Sequence, residues 1–238
     1  SDANGTEIRR MSSAAQSGMV RQHWNLRKAS TNPVGGWGRG PLVVPGTYQL
    51  SVVLVHNGNI DTLVAKRNFN VVGLNNQTLV AKDTKALDAF RAEIAELNRK
   101  VSGQEKRFEE ASQELELIEK AVLSYPNTNM ALLAEIRKLK LVKAAASEVL
   151  YGDGLKTKHE FETVPSLTSR LGMVDYQLSE NTTGVSKTHR ANLVMVQQQY
   201  EALYPQLQDY YKRIAALQTE LEKANIPYTK SRLNWKED

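Results

Sequence analysis

The chain carries few side chains whose type and spacing suggest chemistry. His23, His56, His159 and His189 form no HExxH, HxH or HxxxH pair, so no local histidine metal site is indicated and the four read as solvated surface residues. The run Gly35-Gly36-Trp37-Gly38-Arg39-Gly40 has the glycine content of a phosphate loop. It lacks the Lys-Ser/Thr ending, and no helical pattern follows it. It reads as a connection ending at Pro45-Gly46-Thr47-Tyr48. Trp37 and Arg39 remain a candidate sugar or partner contact, because an exposed indole stacks and a guanidinium hydrogen-bonds. Glu109, Glu110, Glu114 and Glu116 alternate with Lys106, Arg107 and Lys120, the pattern of a solvated helix face rather than of a paired acid and base. Tyr200, Tyr204, Tyr210 and Tyr211 cluster near the C-terminal end. Spacing assigns Tyr200 and Tyr210 to a core seam and Tyr204 and Tyr211 to contact with a neighbouring helix, with Tyr204 and Tyr211 as a second candidate glycan or partner contact. No GxSxG motif, EF-hand loop or cysteine occurs. No catalytic, metal or cofactor-binding residue is therefore assigned, and no cofactor is expected.

The elements that would position these residues change character near residue 80. Nine of the 14 glycines lie in the first 73 residues of the 238. Between them the alternating stretches Glu7–Met11, Met19–Leu26, Thr47–Val55 and Ile60–Val72 predict strands. Asn57-Gly58 predicts a type I′ hairpin turn. Trp24 belongs to the core of this sheet region, and Trp37, among four glycines, is the more exposed indole. After Lys82 the period is helical. Leu87, Phe90, Ile94, Leu97, Val101, Gln104, Phe108, Ala111, Leu115, Ile118 and Val122 step by three and four, an apolar seam of the coiled-coil kind broken in type only by Gln104. Asp83 is the predicted N-cap, and Tyr125-Pro126 the stop. A second helix is expected from about Asn129 to Tyr151, closed by Gly152, and a shorter third after Pro165. The fourth runs from near Ser186 to Ala224 and is read as one helix kinked at Pro205 rather than two helices with a loop, since the heptad phase is unbroken there. The expected arrangement is an elongated up-down-up-down bundle, with first and fourth helices about 60 Å long. The tail from Ile226 to Trp235 is too apolar for a solvated end and is expected to fold back.

The class that follows is α+β in two domains: an incomplete Ig-like or FnIII-like antiparallel β-sandwich over 1–78, then a long, coiled-coil-like antiparallel four-helix bundle with a tail over 79–238. Only about 74 residues precede the helices, fewer than the roughly 100 of a complete sandwich. With Asn4-Gly5 read as a hairpin turn, a strand is expected upstream of Ser1. Charge divides unevenly. Up to Lys82 there are nine Lys/Arg against three Asp/Glu, net +6, and the remainder has 22 against 23, net −1, together the +5 of the chain. A basic sheet region suits docking to a neighbour or attraction to an anionic polymer. No aromatic-basic nucleic-acid signature accompanies it, so nucleic acid is not an expected partner. No apolar run reaches the roughly 18 residues that span a bilayer, and no membrane insertion is expected.

The words along the chain add a resemblance. Asp2-Ala3-Asn4-Gly5-Thr6-Glu7-Ile8-Arg9-Arg10, then Gly18-Met19-Val20-Arg21-Gln22-His23-Trp24-Asn25-Leu26-Arg27, then Gly40-Pro41 and Val44-Pro45-Gly46-Thr47-Tyr48 resemble an Ig-like module of the flagellar hook-capping type. More closely, they resemble the C-terminal part of bacterial sortilin-like or BNR/Asp-box β-propeller proteins, usually named glycosyl hydrolases. In that family the sandwich is followed by a helical region ending in a segment like Ala224-Asn225-Ile226-Pro227-Tyr228. Leu74-Asn75-Asn76-Gln77-Thr78 replaces the family's Asp-Pro-Arg, and Trp24-Asn25 its Trp-Asp pair. The resemblance implies an upstream propeller as partner, an extracytoplasmic location, periplasmic or secreted, and a glycosidase centre, if any, outside these residues. The expected function is a noncatalytic docking or spacing module. The alternatives are a glycan-binding module, using Trp37, Arg39 and the basic sheet, and an extracytoplasmic coiled-coil adaptor.

Overall fold

A computed structural model of the chain describes residues 1–31, 40–74, 81–126, 128–159, 163–179 and 182–226. Asn57 and Gly58 take φ of 49° and 81°, the two positive angles of the expected turn. They close an antiparallel hairpin of β1 (Gly46–His56) and β2 (Asn59–Val71). The edge of β1 is met by the first residues of the chain. Gln49 and Ser1 exchange backbone hydrogen bonds, each 2.9 Å, and Asp2 bridges Tyr48. Asp2 also closes the Asn4-Gly5 turn, its carboxylate accepting from the amides of Asn4 (2.9 Å) and Thr6 (2.8 Å), with Gly5 at φ 86°.

The expected strands over Glu7–Met11 and Met19–Leu26 do not form. Those stretches are mostly exposed and offer few apolar side chains at a spacing of two, so neither has a continuous face to bury. They are held instead by single contacts: the Ala29 amide donates to Ile8 O (3.0 Å), and Arg27 bridges Leu42. The α+β class holds, but the sheet described is two-stranded, not a sandwich.

Five helices follow: α1 (Thr84–Ser124), α2 (Met130–Tyr151), α3 (Gly154–His159), α4 (Leu167–Ser179) and α5 (Lys187–Lys223). Asp83 caps α1 by accepting from the Ala86 amide at 2.9 Å, and Asn129 caps α2 by accepting from the Ala131 amide at 2.9 Å. Gly152, at φ 83°, ends α2. The apolar members of the α1 seam are all buried, and Gln104 is not. α5 runs through Pro205 as one helix. The ring is on the exposed side there, so the carbonyl deprived of its amide partner faces water. Ser186 and His189 cap α5 reciprocally: the His189 amide donates to Ser186 Oγ (3.1 Å) and the Ser186 amide to His189 Nδ1 (3.2 Å). α3 is an addition to the sequence reading; Asp153 Oδ1 accepts from the amides of Leu155 and Lys156 and starts it.

The chain divides into two compact units. One comprises Ser1–Glu96 with Val174–His189, the other Leu97–Met173 with Arg190–Asp238. The divisions fall inside α1, α4 and α5. In the second unit, Glu116–Lys143 and Glu119–Lys140 pairs run α1 and α2 antiparallel. An Arg213–Glu135 pair joins α5 to α2, and an Arg170–Asn192 hydrogen bond joins it to the first half of α4.

Candidate functional site

In the first unit, two buried arginines hold the sheet region against the helices. Arg91 lies on the apolar side of α1, four residues after Leu87 and three before Ile94, and is only 4% exposed. Its Nε donates to Leu178 O (2.8 Å) and a terminal nitrogen to Leu42 O (3.1 Å). Arg27 donates to Gly40 O (3.2 Å) and Ser179 O (3.3 Å). Leu178 and Ser179 end α4, so both guanidiniums meet carbonyls that lack helical partners at the negative end of the helix dipole. Burial lowers the Arg91 pKa, Asp88 raises it and Arg27 lowers it again. Lys28 pairs with Asp88 at 2.7 Å beside them. A cavity of about 20 Å³ lined by Thr31, Arg91, Asp175 and Ser179 lies there. That is room for one water-sized group, far below the several hundred Å³ of a small-molecule site. The cluster is structural.

The indole of Trp24 sits edge-on to Tyr48 (5.9 Å between centroids) and Phe69 (6.0 Å), with Nε1 donating to Arg27 O at 2.9 Å. This half-buried trio covers the base of the hairpin. Beyond it the hairpin is bare: Val55 and Ile60 are 65% and 68% exposed, and Leu50, Val53 and Leu63 are also exposed. β1 contributes the unbroken run Val52-Val53-Leu54-Val55. Such a run, with no polar alternation, is the texture of a strand covered on both faces.

Of the sequence candidates, Trp37 and Arg39 lie outside the described residues. Tyr204 is exposed on α5, its ring 5.8 Å from that of Tyr200. Tyr211 is buried, with Arg107 4.2 Å above its ring and its hydroxyl donating to Gln104 Oε1 at 3.3 Å. Burial pushes the Tyr211 hydroxyl up to about 12. Tyr211 meets the adjacent helix as its spacing indicated, and its ring is covered while that of Tyr204 is exposed. Among the described residues no three His, Asp or Glu side chains gather as metal ligands, and no helix is long and apolar enough to cross a membrane. The sequence reading passed over Arg27 and Arg91. The signal for Arg91 was its place on the buried side of the seam; for Arg27 there was none.

Fold and site together define an α+β chain whose first unit bonds the sheet region to the start of α1 and the end of α4 and presents an exposed apolar hairpin. Comparison with family models, curated proteins and solved structures gives no match.

Proposed function

We propose that this chain is a noncatalytic docking and spacing module, with the β1–β2 hairpin as its docking element and the bundle as its spacer. The observation that carries this reading is the uncovered hairpin in a chain whose helical seam is closed: Val55 and Ile60 stand in water while Leu115 and Ile118 are fully buried. An apolar ribbon of this kind gains most of its stability from a layer packed on it, since a lone two-stranded sheet is marginal in water. The hairpin then serves as one layer of an Ig-like, two-layer β arrangement completed by a partner.

The resemblance to the C-terminal region of sortilin-like β-propeller proteins supports a propeller of the same parent protein as that neighbour, and a periplasmic or secreted setting. The basic sheet region suits an acidic rim on the partner. The glycan-binding alternative loses one contact, because the Tyr211 ring is covered by Arg107.

Two measurements test this function. The purified chain is expected not to hydrolyse aryl glycosides, and turnover that survives a second purification would overturn the noncatalytic reading. A hydrophobic dye such as ANS is expected to bind the folded chain, and a Val55→Asp, Ile60→Asp variant with unchanged helical circular dichroism should lose that binding. Equal dye binding by both would overturn the hairpin as the docking element.

A further inference from the structure

The hairpin has two faces of different character. One carries Val53, paired with Thr62, and Val55, paired with Ile60. The other leaves the Trp24 cluster as Tyr48/Phe69 and continues as Leu50/Arg67, Val52/Val64 and Leu54/Asp61, each a directly opposed pair. Register shifts between Leu50 and Val52, and between Val52 and Val53, put extra β2 residues out of the ladder. Asp61, Val64 and Arg67 are therefore three apart in sequence yet stand on one face. Along this face an apolar row is flanked by a cation one row to the inside and an anion one row to the outside.

We propose that this face packs on the same face of a second copy of the chain, about a two-fold axis through the Val52/Val64 row. The pattern is self-complementary: rotation about that axis brings Arg67 of each copy over Asp61 of the other, twice, and lays Leu50 toward Leu54 across the axis. Neither Arg67 nor Asp61 is paired with another charge among the described residues. Packing two such layers face to face makes a small sandwich of the kind two hairpins form with their inner side chains interleaved.

Edge-to-edge pairing of β2 is disfavoured by the same shifts, because bulges twist an edge out of line and Lys66 lies within one of them. Leu50, Val52 and Val64 are 50%, 39% and 37% exposed. With Phe69 and the two charged stems, the pair would bury about 1,000 Å², the low end for a specific interface. The opposite face, with Val55 and Ile60, stays open, so this dimer rests on the hairpin being a docking element but not on the dye result at those two residues.

The test is sedimentation velocity of the whole chain over about 1 to 300 µM, with helical circular dichroism as the control for folding. A concentration-dependent dimer is expected, weakened about tenfold or more by Asp61→Arg or by Arg67→Asp alone and restored within about threefold by the double exchange. Val64→Glu should leave a monomer with intact helices. A chain that stays monomeric throughout overturns the dimer, and if it still binds ANS through Val55 and Ile60 the docking reading survives. A dimer indifferent to all four variants also overturns it, by placing the contact elsewhere.

Discussion

Arg91 Nε donates to the carbonyl of Leu178 at 2.8 Å, tying the start of α1 to the last turn of α4 across 87 residues of sequence. The same side chain reaches Leu42 O at 3.1 Å, so one guanidinium joins two helices and the segment that leads into β1. Removing it takes this donor from the buried Leu178 carbonyl and the part-buried Leu42 carbonyl. Arg91→Met is expected to lower stability by about 2 to 4 kcal/mol, since bonds from a charged donor contribute roughly 1.5 to 3 kcal/mol each and the methionine recovers some packing. Arg91→Lys should recover part of the loss through a single bond. Urea unfolding followed by circular dichroism measures both, and equal midpoints for wild type and Arg91→Met would exclude the tie.

Gly40 sits where two backbone segments nearly touch. A Cβ there would lie 2.2 Å from Lys28 O and 2.5 Å from Ala29 O, and backbone cannot swing aside as a side chain can. Gly40→Ala should therefore displace the bridge between Arg27 and Leu42 and cost about 1 to 3 kcal/mol, the range of overpacking. Gly46→Ala has nothing within 4 Å of its Cβ and serves as the neutral control. Thermal midpoints of the two variants, compared with wild type, decide the matter.

Glu114 on α1 gives a pH dependence of defined sign. Burial pushes its carboxyl up to about 7, and its Oε1 has no hydrogen-bond partner among the described residues. The folded chain therefore holds this proton more tightly than the unfolded chain does. Stability on this account falls as pH rises from the ordinary carboxyl value of 4.5 to about 7, and is level above. Glu114 is only half-buried, so solvent screening reduces the full linkage value to on the order of 1 kcal/mol. Glu114→Gln is expected to remove that slope and to be more stable than wild type at pH 8, but not at pH 4. Parallel curves for the two proteins between pH 5 and 8 would exclude it.

What the sequence determined by itself was local. The three-four step from Leu87 to Val122, the caps Asp83 and Asn129, the glycine after Tyr151 and the Asn57-Gly58 turn each act over a few residues, and each formed as read. Continuity of α5 through Pro205 was legible for the same reason: the heptad phase on either side is a local record of one axis.

Only the tertiary structure decided what joins distant segments. Glu7–Met11 had the alternation of a strand but no apolar face for another layer to cover, so a pattern that permits a strand did not make one. The choice of neighbours rests on ion pairs such as Glu119–Lys140 and Arg213–Glu135, 21 and 78 residues apart. A seam shows which face of a helix is buried but not which neighbour covers it. Ser1 pairing with Gln49, and Arg27 reaching Ser179 across 152 residues, depend on where the chain returns in space. Hydrogen bonds at that separation follow from packing, and no spacing along the sequence encodes them.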